Sequence, residues 1–143
     1  MKNDKVSLKE AEKFHGHLGP YLVLGILAGE LALRKIRAKK YFGFEIKVWG
    51  ANKKPKSCLI DGLQLSTGAT YGKGNIGQLN GSAIKVGFCN RINHKKITLK
   101  FKNSLIQKLR EIKTHKDSEL LAKKLYKTDY YKLFDLTPNT YNL

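Results

Sequence analysis

No stretch of this sequence is long and apolar enough to span a bilayer. The longest apolar run, Leu18 to Gly29, contains Pro20 and falls well short of the ~20 residues a membrane requires. Nor does that run read as a secretion signal, because it follows a mixed-charge amphipathic stretch and no small-residue cleavage pattern comes after it. A cytoplasmic chain with no membrane partner is the expectation. Cysteine is scarce: only Cys58 and Cys89 occur. In the cytoplasm both are expected to be reduced, and a chain of this size needs no disulfide between them. Acidic residues are scarce as well, 11 against 28 basic ones, for a formal net charge of +17. Arginine stands only at Arg34, Arg37, Arg91 and Arg110, so the excess is carried by lysine. That charge makes a nucleic-acid or other anionic partner one reading. The shortage of guanidinium, the better fork for phosphate and guanine, weighs against it. Lysine spread along the whole chain reads as compositional bias. No internal repeat or low-complexity block is present.

What is present fits one folded domain. The 143 residues are 41% hydrophobic and 27% charged, too apolar for wholesale disorder. Ser7 and Glu10 have capping-box spacing, which predicts a helix from Leu8 to about His15, stopped by Gly16. Gly19-Pro20 restarts a helix that runs to about Arg37, since proline at the first helical position loses no hydrogen bond. Its first turns, Tyr21 to Gly29, are apolar all round and predict a buried central helix. Gly25 and Gly29 share one face of it, where close approach of another backbone explains a residue that weakens a helix by about 1 kcal/mol. Phe44 to Trp49 alternates as a strand. Cys58 to Ile60 reads as a short strand or the entry to a helix, and Asp61 to Thr67 as a short helix. Gly68 to Gly77 is a glycine-rich loop, and Ala83 to Phe88 and Lys96 to Phe101 are two hairpin strands. In the tail, Leu105, Leu109 and Ile112 form a helical stripe, and Asp117 or Ser118 caps a further helix through Tyr126. The predicted class is α+β: a single domain over 1–143, with a mixed or antiparallel sheet against the central helix. Its core spans about 7–101, and a helical extension covers 102–143.

Three clusters hold residues with chemistry. His15 and His17 flank Gly16, just before the amino end of the central helix. The positive end of that helix favours neutral imidazole, the metal-binding form. The alternative is one histidine capping the first helix and the other on a surface loop. Cys58 is a candidate third ligand, since two imidazoles and a thiolate suit zinc and leave a fourth position open. Its alternative is a small buried hydrophobe, the reading given to Cys89. In the glycine loop, Gly68 to Gly72-Lys73 is one residue short of nucleotide-binding spacing, and Gly74 replaces the magnesium-binding hydroxyl. Nucleoside-triphosphate binding is therefore rejected. Exposed amides around Gly72, Gly74 and Asn75, with Lys73 and Gln64, still make a candidate anion or ligand site, with at least one of the two glycines at positive φ. The aromatic tail, Tyr126, Tyr130, Tyr131, Phe134 and Tyr141, reads as docked on the core or on a second subunit rather than as a base-stacking surface.

Taken together, these clusters resemble the FmdE-like family, that of the FmdE subunit of formylmethanofuran dehydrogenase and its free-standing relatives. The resemblance rests on Phe14-His15-Gly16-His17-Leu18-Gly19-Pro20, then Gly25 and Gly29, then Ser57 to Gln64, then Thr67 to Asn75. It spans about residues 7–101. It implies an α+β domain whose metal, often zinc, is held by His15, His17 and Cys58, with the glycine loop set against the histidine motif. Three departures are visible: Gly19 and Ala69 stand where many relatives carry cysteine, and the cysteine-rich carboxy-terminal zinc module is absent. An open three-ligand site, one metal per chain, is what the resemblance then implies. Two cysteines are too few for an iron–sulfur cluster, so the chain is not the catalytic subunit of that enzyme.

The leading expectation is an accessory or free-standing metal-binding protein. Asp61 is its candidate base or orienter, and Lys73 steadies a small anion. The alternatives are a basic nucleic-acid-binding module and a structural subunit of a larger redox complex. A homodimer is also expected, from Gly25, Gly29 and the tail aromatics, since an all-apolar helix and exposed rings call for cover.

Overall fold

Glycine shapes the centre of the molecule. In the computed structural model, which describes residues 5–141, α1 (Leu8–His15) is followed by α2 (Pro20–Lys35), β1 (Phe44–Trp49) and α3 (Cys58–Thr67). α2 and α3 run in the same direction and touch through backbone. A Cβ on Gly25 would lie 2.2 Å from the Leu59 carbonyl oxygen, and one on Gly62 would lie 2.0 Å from that of Leu22. One turn on, a Cβ on Gly29 would strike Ser66 Oγ at 2.0 Å. That hydroxyl donates within α3 to the Gly62 carbonyl at 3.0 Å and across to the Gly25 carbonyl at 3.3 Å. The close approach expected of Gly25 and Gly29 is thus met inside the chain, by α3.

α1 has the expected capping box, with Ser7 and Glu10 satisfying each other's backbone amides, and ends on Gly16 at φ 104°. The strands β2 (Ile76–Leu79), β3 (Lys85–Asn90), β4 (Lys96–Phe101) and β5 (Phe134–Pro138), with α4 (Asn103–Arg110) and α5 (His115–Tyr126), complete the chain. The sheet order is β2-β1-β3-β4-β5. β2 pairs parallel with β1, and every other pairing is antiparallel. Phe44, Ile46 and Val48 of β1, with Val86 and Phe88 of β3, join α2 in the core. Each fully buried side chain of that size contributes about 2 kcal/mol. Cys89 pairs with Glu45, in register with the outward residues of β1, and is buried as expected.

The tail departs from an all-helical extension. Two helices form, and Thr114 rather than Asp117 or Ser118 caps α5, its side chain accepting from the Asp117 amide. The chain then takes a single 3-10 turn at Tyr130–Lys132 and enters the sheet as β5. Phe134 pairs with Phe101 and Leu136 with Leu99, which buries Phe134 at the sheet edge. Two of the tail tyrosines are hydrogen-bonded within the chain. Tyr126 donates to the Val6 carbonyl at 2.6 Å, and Tyr130 donates to Glu30 at 2.9 Å while accepting from Arg34 at 2.7 Å. Intrachain packing thus covers the central helix and engages Tyr126, Tyr130 and Phe134, while Tyr131 stays 50% exposed. No described helix is long and apolar enough to cross a membrane.

The α2–α3 contact yields a stability test. Gly62→Ala should cost about 3 kcal/mol in urea unfolding, since the added methyl meets backbone that side-chain rotation cannot move. Gly77→Ala, whose Cβ would meet nothing within 4 Å, should stay within about 0.5 kcal/mol of the parent.

Candidate functional site

The histidine motif lies between α1 and α2, and Cys58 opens α3. Because α2 and α3 run together from the glycine crossing, their first turns emerge side by side. His15 Nδ1 donates to Asp61 Oδ2 at 2.6 Å. A carboxylate on Nδ1 orients the ring and is the arrangement seen where a carboxylate supports a metal-ligating histidine. The His15 and His17 rings are 4.9 Å apart and tilted by 53°. Gly16 allows this by taking a left-handed conformation between them. Both histidines and Cys58 line one cavity of about 200 Å³.

Cys58 is half-buried, and its thiol is pushed above the ordinary range by burial first and by the Asp61 carboxylate second; Lys54 opposes both. As placed, the three side chains share a wall without closing into a ligand cage. Among the described residues, no group of three or more His, Cys, Asp or Glu side chains is arranged to hold a metal ion. The donor chemistry of two imidazoles and a thiol still suits a borderline metal, and the Asp61 contact is the support such a ligand needs.

The glycine loop is elsewhere. It follows α3, so the ten residues of that helix, ~15 Å long, separate it from Cys58. Gly72, Lys73, Gly74, Asn75 and Gln64 do not line the histidine cavity. Their polar groups are tied locally. Lys73 Nζ donates to the Gly68 carbonyl at the carboxyl end of α3 and lies 5.3 Å from the centre of the Phe42 ring. Asn75 accepts from the Thr70 amide and donates to the Tyr41 carbonyl, and Gln64 accepts from the Tyr71 amide. Gly74 takes positive φ, 73°, as the loop reading required.

Sequence reasoning missed the part of the cavity lining that the tail supplies. Leu109, Ile112 and Ser118 line the cavity from the tail, with Pro55, Pro20 and Tyr21. The signal was the Leu105-Leu109-Ile112 stripe, which is apolar as docking demands but does not by itself name what it docks on.

Residues 14–135 match the family described as FmdE, molybdenum formylmethanofuran dehydrogenase operon. The chain belongs to the FmdE family. A tungsten formylmethanofuran dehydrogenase FmdE-like protein from Syntrophus aciditrophicus has a similar solved structure. Its TM-score is 0.66 at 18% identity, over 92% of this chain and 68% of that one. At that identity the likeness is one of fold. No curated protein matches. In FmdE terms, the matched span begins one residue before His15 and extends into β5, so it includes the tail that walls the cavity.

The Cys58 environment predicts its reactivity. Iodoacetamide should label Cys58 in the folded protein and spare Cys89, which is 3% exposed. A raised thiol holds less thiolate at neutral pH, so the labelling rate should keep climbing with pH beyond the point where an ordinary thiol levels off. Asp61→Asn removes one cause of the rise, and mass spectrometry should then show faster labelling at about pH 8.

Proposed function

We propose that this FmdE-family chain is a metal-binding accessory protein, with His15, His17 and Cys58 as ligands to one zinc or similar divalent ion. The observation that carries the reading is the His15–Asp61 bond at 2.6 Å beside His17 and Cys58 on one cavity. A bare surface histidine has no need of a carboxylate on Nδ1, whereas a ligand does. Such an ion supplies Lewis acidity at the cavity wall. The protein's own part is to orient His15 through Asp61, to keep Cys58 half-sheltered, and to line part of the site with the tail. Asp61 acts as an orienter in this reading rather than as a base, because its oxygen is already engaged with His15. Association with a formylmethanofuran dehydrogenase-like complex is part of the same proposal, and membership of the FmdE family supports it. Lys73 serves the α3 carboxyl end, where its charge suits the helix dipole.

Zinc titration of chelator-treated protein, followed by elemental analysis, tests the reading. One ion per chain is expected, lost in the double variant His15→Ala with His17→Ala and kept in Cys89→Ser. Asp61→Asn should weaken affinity by about 10–100-fold without abolishing it. Full zinc occupancy in the double variant would defeat the site as drawn.

A further inference from the structure

We infer that the cavity beside the histidines binds a small monocarboxylate with a branched or aromatic apolar tail. Both the head-group and the tail assignment rest on the cavity lining and not on the metal reading above. The cavity has a mixed lining. Its polar groups are the imidazoles of His15 and His17, the Cys58 thiol and the Ser118 hydroxyl, and the rest is apolar surface that includes Pro55, Leu109 and Ile112. Among the described residues, no aspartate, glutamate, lysine or arginine lines it. A ligand therefore meets no fixed carboxylate to repel an anion, because Asp61 is turned onto His15. It also meets no lysine or arginine on the lining, whose charge would favour a phosphate or sulfate. The His17 imidazole and the Ser118 hydroxyl, both beside Gly19, are donors that suit a carboxylate, and the chain's +17 charge concentrates small anions around it.

Position 19 keeps the space beside these donors open. A Cβ on Gly19 would lie 3.4 Å from His17 Cε1 and 3.8 Å from Ser118 Oγ. Any side chain there would project between His17 and Ser118, where the head group is assigned. Gly19 has an extended backbone, φ −141°, so a residue with a Cβ adopts it without strain. The space is thus left by the choice of residue and not imposed by the fold. A volume of about 200 Å³ accommodates a five-carbon or single-ring acid.

The test is isothermal titration of the full chain, zinc-loaded and chelator-stripped, with acetate, 3-methylbutanoate and phenylacetate. Each added carbon that is buried should tighten binding about fourfold, so 3-methylbutanoate should bind at least about tenfold tighter than acetate. Ile112→Ala should shrink that ratio while leaving acetate affinity unchanged. Gly19→Ala should weaken all three acids while the melting temperature and zinc stoichiometry stay at parental values. Equal affinity for acetate and 3-methylbutanoate overturns the inference, as does indifference of the longer acids to both variants. Stoichiometric zinc without a tail preference removes the pocket and keeps the metal site. A tail preference in stripped protein that takes up no zinc removes the metal site and keeps the pocket.

Discussion

The backbone contact of α2 with α3 at Gly25 and Gly62 is the constraint on which the remaining structure hangs. Two helices with side chains between them pack about 8–10 Å apart. Here, a methyl on either glycine would collide with a main-chain oxygen of the other helix. The close crossing brings the first turns of both helices to one end, and the candidate ligands are sited by that alone. His15 and His17 precede α2 by a few residues, and Cys58 and Asp61 lie in the first turn of α3. A 2.6 Å bond between residues 46 apart in sequence follows from that contact further along each helix. The apolar face of α2 is then shared among α3, the sheet and α5, which explains why a helix with almost no polar side is compatible with a folded single chain.

Much of this was legible because the signals were local. The Ser7–Glu10 capping box, the Gly19-Pro20 restart and the alternation of Phe44 to Trp49 each state their own geometry. The α2 boundaries lie within two residues of expectation. The α+β class followed from those elements. Two strands were not legible. β2 is four residues, only Ile76 of it buried, and it contains Gly77. It forms because β1 offers a free edge, which is a property of the sheet rather than of those residues. β5 is Phe134-Asp135-Leu136-Thr137-Pro138, whose alternation was absorbed into an aromatic tail with helical spacing.

The site divides along the same line. His15, His17, Cys58 and Asp61 could be gathered from motif order, and they do share one end of the molecule. The glycine loop could not be placed, since nothing in the order of blocks says that α3 stands between. Its lysine and asparagine are instead bonded to the carboxyl end of α3 and to the Tyr41 turn, where Tyr41 is held at φ 83°. A bulky residue in that conformation needs surrounding bonds to keep it. The Asn75 bond to its carbonyl and the Tyr41 amide bond to Thr67 are two of them.

Because β5 hydrogen-bonds to β4 and the preceding tail walls the histidine cavity, the order of synthesis matters. A ribosome delivers residues up to about Phe101 with both histidines, the cysteine and four of five strands already in hand. A chain that ends near Phe101 lacks Leu109, Ile112 and Ser118, so the cavity lining is completed only once the tail packs against the earlier helices. His17 stays exposed in the finished fold, so the tail narrows the approach to the histidines without closing it.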